Sequence, residues 1–312
     1  MLSYFSNINK STFAVLISFY LAVVLTGCTE RSLDVRGDTR VHFRITDLLS
    51  GVDISSTGEV ESLDVFFFDQ NMNFQKHQGL SASEIKSNAH ITLNHANVNG
   101  WWVSVWGNLK DGQIRPIPLM NNPIDGLAIR LKESLEKGYY NCPDDLFFGI
   151  ARIDQSNFQS GINRIEIPIT RKNGRLHITV RGLAQDIAED DYYFTVKGNH
   201  VGYNMLGVPV SGEVDIKQAG KIQDTDFSFA TPEAFNVIHT MDNLFMTINL
   251  YQVSQTRAVS LLASVTEDGK GNSILPLAGQ TTNVLLNMQP GGEVEVYVEI
   301  TPWGENYQWS RW

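Results

Sequence analysis

Apolar residues along most of this chain recur at every second position, the spacing of a strand with one face on a core and the other toward water. Arg40-Val41-His42-Phe43-Arg44-Ile45 alternates in this way. Glu61 to Phe68 starts alike and becomes the run Val65-Phe66-Phe67-Phe68, closed by Asp69-Gln70-Asn71, which predicts a core strand ended by a turn. His90 to Leu93, Trp101 to Asn108, Leu146 to Ala151 and Ile162 to Thr170 predict further strands. Residues 110–128, rich in Asp, Gly, Asn and Pro, read as a long loop, and Ile129 to Glu136 as a short helix. Lys172-Asn173-Gly174 marks a turn, after which the strand pattern resumes at Arg175 to Val180. Tyr192–Val196, Phe235–His239, Leu244–Leu250, Ala258–Ser264, Thr282–Leu286 and Glu293–Ile300 continue it. The last has an acidic face with Tyr297 and a valine and isoleucine face, so one side should meet water. Few stretches have helical period, and none alternates with strands in βαβ order. The chain therefore reads as all-β, in two β-sandwich domains at 39–170 and 171–312.

The N-terminus breaks this pattern. Lys10 is followed by a mostly apolar run, Phe13 to Leu25, that ends in Leu25-Thr26-Gly27-Cys28. These are the parts of a secretory signal. The run is short of the ~20 residues that span a bilayer comfortably. Leu-Thr-Gly-Cys resembles the lipobox of bacterial lipoproteins. That resemblance implies a signal peptide at 1–27, a cut before Cys28, a diacylglycerol on its sulfur and an acyl group on the new amine. Several acyl chains anchor stably where one would not. Residues 28–38 are polar and aperiodic, which suits an extended tether.

Charge and cysteine count narrow the partners. The chain has 312 residues, with 24 basic against 34 acidic and a net charge of −10. Removing the signal takes away one lysine and no acid, so the mature chain is more acidic still. An acidic surface repels phosphate backbones, so nucleic acid is not an expected partner. No polybasic patch is left to hold a membrane, and lipid must do so. With Cys28 lipidated, Cys142 has no partner for an intrachain disulfide and reads as a free buried thiol.

No set of residues points to catalysis, a cofactor or a metal. The histidines, His42, His77, His90, His95, His177, His200 and His239, show no metal-ligand spacing, and no nucleophile elbow or Gly-rich phosphate loop occurs. Asp144-Asp145 are neighbours that a strand turns to opposite faces. Asp186, Glu189, Asp190 and Asp191 lack the EF-hand spacing and read as a solvated acidic loop. Arg36-Gly37-Asp38 matches a tripeptide of integrin ligands, but lies in the tether. Trp101, Trp102, Trp106, Trp303, Trp309 and Trp312 form two clusters. They read first as packing residues of the sandwiches, and otherwise as stacking faces for sugars. The chain is not expected to be an enzyme.

Several blocks in fixed order resemble the fimbrial anchor family of Bacteroidales, the FimB/Mfa2-type minor subunits. They are the lipobox Cys28, Val60 to Asp69, Trp102-Val103-Ser104-Val105-Trp106-Gly107-Asn108, Asp145 to Gly149, Ile167 to Arg171, Arg175 to Val180, and a terminal strand from Val294 to Ile300 before Trp303. The resemblance implies two transthyretin-like β-sandwich domains, a lipid anchor in the outer membrane at the cell surface, no catalysis, and a place at the base of a fimbria. It also implies partners, stalk or accessory subunits joined by β-strand addition. In stalk subunits of that family an arginine-directed protease removes the first strand. Arg31, Arg36, Arg40 and Arg44 are the possible sites here, and a cut at any of them would part the body from Cys28. Tyr307 to Trp312 has the length of a short donor strand only. A fimbrial tip adhesin and a surface glycan-binding lipoprotein are the alternatives.

Overall fold

The structure, a computed structural model, describes residues 38–94, 98–154, 162–183, 188–223, 227–239, 245–305 and 307–309. The first half of the chain forms β1 (Thr39–Ile45), β2 (Ser62–Phe68), β3 (Phe74–Ser81), a one-turn helix α1 (Ala82–Lys86), β4 (Ile91–Leu93), β5 (Trp102–Gly107), β6 (Gln113–Ile114), β7 (Ala128–Leu131), β8 (Phe147–Arg152) and β9 (Asn163–Arg171). The second half forms β10 (Gly174–Arg181), β11 (Tyr192–Asn204), β12 (Pro209–Ala219), β13 (Lys221–Ile222), β14 (Phe229–Ala230), β15 (Phe235–Val237), β16 (Thr247–Val253), β17 (Val259–Val265), β18 (Gln280–Met288) and β19 (Val294–Pro302). The fold is almost wholly β, as the alternation predicts, and no helix among the described residues is long and apolar enough to cross a membrane.

In the first sandwich the strands run in the order β3-β2-β5-β8-β9-β1-β4. β8 and β9 pair only at Phe147↔Arg171 and Phe148↔Thr170. Beyond that point the ribbon folds over, so that β9-β1-β4 faces β3-β2-β5-β8 across one core. A side chain on Gly149 would collide with the Pro168 carbonyl oxygen and with Ile169, so this close approach needs a glycine. The core holds Val41, Phe43 and Ile45 from β1, Val65 and Phe67 from β2, Val103 and Val105 from β5, and Ile167 and Ile169 from β9.

The second sandwich repeats the plan. One layer has the order β13-β14-β10-β18-β19, with β15 also on β10, and the other β17-β16-β11-β7-β6, with β12 on β11. Leu176, Ile178 and Val180 of β10 meet Phe194, Ile248, Leu250, Val284 and Leu286 in its core.

A third cluster joins the two. Phe66, Phe68 and Trp106 point away from the first core and pack with Ile129, Leu131, Tyr203, Met205 and Ile238. This is why Val65 to Phe68 is a run rather than an alternation: both faces of β2 are covered. Ser104 Oγ adds a buried bond across the same surface, donating to the Met205 carbonyl at 2.7 Å.

The expected helix over 129–136 is not formed. Ala128 to Leu131 is β7, because the overhang of β11 offers backbone partners at Gly202, Tyr203 and Asn204 and because Ile129 and Leu131 bury at strand spacing. Contact with a distant strand outweighs the helix propensity of Lys132 to Glu136. The expected loop before it contains β6, which pairs with β7.

Candidate functional site

Each sandwich is closed by its first strand. β1 runs parallel to β9 from Thr39↔Asn163 to Ile45↔Ile169, and antiparallel to β4 from Thr39↔Leu93 to Val41↔Ile91. The ladder extends past both ends, Asn163 N donating to the Asp38 carbonyl and Thr46 N to that of Ile169. Alternation sends Val41, Phe43 and Ile45 inward, where they are buried. At ~1.5–3 kcal/mol for each fully buried side chain, the three contribute about 5–9 kcal/mol. That equals the net stability of a typical domain, so the groove between β9 and β4 is stable only when filled. Any strand that fills it must carry apolar residues at every second position.

Two of the four candidate arginines lie on this strand. Arg40 is half-buried and Arg44 exposed, on the face opposite Val41, Phe43 and Ile45. Arg44 sits 3.8 Å from Glu166, both in solvent. A cut after either residue would divide a strand that is paired on both sides. Cys28, Arg31 and Arg36 lie outside the described residues.

Where β9 ends, Arg171 joins the first sandwich to the second. Its Nε donates to Asp145 Oδ1 at 2.8 Å and its terminal nitrogen to Asp145 Oδ2 at 2.9 Å and Glu59 Oε2 at 2.5 Å. The guanidinium lies between two rings, 4.7 Å from the centre of Phe147 and 4.1 Å from that of Trp303. Its side chain is 3% exposed, so the charge is stable only with its carboxylates in place. Trp303 also meets the Arg175 guanidinium at 4.7 Å, which ties the segment after β19 to the junction. Nearby, Asn108 has a left-handed backbone (φ 60) and brackets three segments. Its Oδ1 accepts from Glu61 N, and its Nδ2 donates to the Glu59 and Asp145 carbonyls. The Trp106-Gly107-Asn108 block thus has a physical basis: a plug between sandwiches, a close approach to Phe147, and a bracket.

The outer face of β10 forms the floor of a cleft of about 880 Å3. Arg175, His177, Thr179 and Arg181 project from alternate positions of that strand. Thr281 of β18 and Ser228 beside β14 extend the floor, and Tyr307, Gln308 and Trp309 form a wall. The wall is held by Arg181, which donates to the Trp309 carbonyl at 2.9 Å. Tyr307 and Trp309 meet edge to face at 4.7 Å. Burial holds the His177 imidazole below its ordinary value, so it is neutral at pH 7.

The remaining candidates have local structural partners. His42 stacks on His90 at 5.1 Å, and His95 lies outside the described residues. His77 bonds Asp64 at 2.9 Å, and His239 shares a 2.8 Å bond with the buried Tyr203 hydroxyl. Asp144 accepts from Lys110 N and Gly112 N, whereas Asp145 takes Arg171, so the two carboxylates serve different partners. In the acidic loop, Asp186 lies outside the described residues, Glu189 accepts from Ile222 N and Asp191 from Ala188 N. Among the described residues no group of His, Cys, Asp and Glu is placed to hold a metal. Cys142 is free, and burial pushes its thiol up to about 12, which makes it unreactive at neutral pH. Trp106 is fully buried, Trp101 and Trp102 pack on the two clusters from their edges, and Trp312 lies outside the described residues.

The profile of the fimbrillin-A associated anchor proteins Mfa1 and Mfa2 matches residues 26–309. The chain belongs to this family. As a member of the Mfa2 family it is of a fimbrial, structural kind, associated with fimbrial subunits at the cell surface. Solved structures share the fold. The fimbrial anchor protein Mfa2 from Porphyromonas gingivalis is 12% identical with a TM-score of 0.60, over 85% of this chain and 97% of that one. A candidate adhesin from Bacteroides ovatus is 13% identical with a TM-score of 0.62, over 86% and 96%. A candidate polysaccharide-binding protein from Bacteroides thetaiotaomicron is 10% identical with a TM-score of 0.64, over 87% and 98%. No curated protein sequence is similar enough to count as a relative. Two features of the site escaped the sequence reading. The Arg171 junction joins residues 112 positions apart, and the cleft joins β10 to a tail some 130 residues later. The signals for the cleft are the strand pattern of Arg175 to Val180 and the late tryptophan cluster, which nothing in the sequence links.

Proposed function

We propose that this chain is the anchor subunit of a fimbria. It is exported, cut before Cys28, lipidated there and held in the outer membrane. β1 stays in its own groove, and stalk or accessory subunits join by strand addition. The observation that carries this reading is the reach of the family match, which begins at residue 26 and so takes in Cys28 together with the body. The cost of emptying the β1 groove supports it, because retention of β1 also retains the link to Cys28. For strand addition, β19 is an edge strand, paired to β18 alone. Among the described residues the Val296 carbonyl accepts from Gly269 N and the Pro302 carbonyl, at the strand end, from Glu305 N, while Val298 and Ile300 between them have no backbone partner on that side. Backbone groups left open on such an edge are what a partner strand pairs with.

The test is the N-terminus of the protein recovered from purified fimbriae. Intact mass should show an acylated chain that begins at Cys28, and Cys28→Ser should release it from the membrane fraction. A chain that begins just after Arg31, Arg36, Arg40 or Arg44 would replace the anchor with a stalk or tip subunit. A surface adhesin or glycan-binding lipoprotein is the second reading, favoured by the open cleft over β10.

A further inference from the structure

We propose that the cleft over β10 binds a neutral, hydroxyl-rich oligosaccharide. Its place in the fold excludes a partner strand. β10 is paired along both edges, with β18 on one side and β14 and β15 on the other, so it has no backbone groups to offer. What faces the cleft is a set of side chains. Its volume of about 880 Å3 lies within the ~300–1,000 Å3 of small-molecule sites.

The walls then select the chemistry. Arg175 and Arg181 are offset by Glu233 and Glu305, so the cleft has no net charge to hold an anion. Both arginines are also engaged, Arg175 on the Ala234 carbonyl and the Trp303 ring, Arg181 on the Trp309 carbonyl. An apolar guest would meet hydroxyl, amide and imidazole groups that it could not satisfy, at a cost for each. Four polar atoms of residues that line the cleft are buried and have no hydrogen-bond partner among the described residues: Arg175 Nε, His177 Nδ1, Thr281 Oγ1 and Trp309 Nε1. At the surface of the cleft the Gln223 and Gln308 amides and the Tyr307 hydroxyl offer both donors and acceptors, the mixture that sugar hydroxyls answer because each hydroxyl both gives and takes a bond. The Tyr307–Trp309 corner supplies aromatic surface for the C–H face of a sugar ring. Charge balance, mixed donors and acceptors, and an aromatic wall together describe a glycan site.

The full-length chain, in a detergent without a sugar headgroup, is titrated with cellohexaose, mannohexaose and maltohexaose, with hexagalacturonate as the charged counterpart. Heat and tryptophan fluorescence are read together. At least one neutral hexasaccharide should bind with a Kd tighter than about 1 mM. Trp309→Ala should weaken it tenfold or more, and Gln308→Ala by a smaller factor. Both residues lie beyond the last strand, so Tm should not move. The proposal is overturned if no neutral hexasaccharide binds, if binding is unchanged in both variants, if hexagalacturonate binds more tightly than every neutral sugar, or if a peptide copying residues 39–45 competes for the site. The N-terminus measured on fimbriae is a separate readout, so failure here leaves the anchor reading untouched.

Discussion

β1 and β10 hold the same place in their sandwiches. Each runs parallel to a later strand, β9 or β18, over matching lengths, and each buries three apolar side chains at alternate positions. The hairpin β2–β3 with β5 and β8 corresponds to β11–β12 with β16 and β17. Two things differ. β10 follows β9 after two residues and is fixed by chain on both sides, whereas β1 is the first strand of the described residues and leads into the others from its C-terminal end. The second sandwich also adds β19 along the whole of β18, while the corresponding edge of β9 meets β8 only at its last two residues and presents Pro168, which has no N–H. One plan thus gives a core strand that can be exchanged without opening the chain and another that cannot.

The largest effect expected from this contrast comes from deleting residues 39–45. The loss of about 5–9 kcal/mol should unfold the first sandwich, and a peptide of residues 38–46 added in trans should restore it. The same scheme applied to β10 should fail. Near-ultraviolet dichroism with and without peptide measures both, and a deletion variant that keeps its Tm would break the comparison. Next in size are the arginines that end β9 and β10. Arg171→Ala leaves the half-buried Asp145 carboxylate without its cation and should cost about 3 kcal/mol in urea unfolding, the low end for a broken buried pair. Arg181→Ala removes a bond to a tail carbonyl and should cost about 1 kcal/mol.

Acid should separate the halves as well. Burial, helped by the charge of Lys172, lowers His239 from its ordinary 6.5 to about 4. The unfolded chain therefore takes its proton first, so stability is full above pH 6.5, falls as the pH drops, and levels off below about 4. The whole loss is about 3 kcal/mol. Urea midpoints between pH 7 and 4 should show this fall in the native chain, and His239→Gln should flatten it. An equal slope in both proteins would assign the acid response elsewhere. Ser104→Ala stands with Arg181→Ala at the small end: it removes one buried bond between the sandwiches and should cost about 1 kcal/mol.

The strands legible in the sequence were those with one face on a core, such as β1, β10 and β19. Besides β6 and β7 and the short β13 and β14, the strands missed were β3 and β12, polar outer strands whose existence depends on the hairpin partner they pair with. β19 shows the limit of alternation even where it is clearest: Val296 is buried, but Ile300 on the same face is 48% exposed because the strand lies at an edge. The pattern of Trp101 to Asn108 predicts a strand and no more. Only the second sandwich explains why Trp106, on the other face, is buried too. The site followed the same rule. Cys28 and the arginines are marked by local sequence, whereas the Arg171 junction and the cleft exist only after distant segments meet.

The parallel pairing of β1 with β9 also sets how the molecule bears load. A pull applied between the N-terminus and the second sandwich draws β1 from its first residue and β9 from its last. In a parallel pair those ends point in opposite directions, so the strands are driven to slide along each other. Every backbone bond from Thr39 to Ile45 then shares the force at once, whereas an antiparallel pair held the same way would peel open one bond after another. The first strand is a shear clasp, strongest along the line from tether to body.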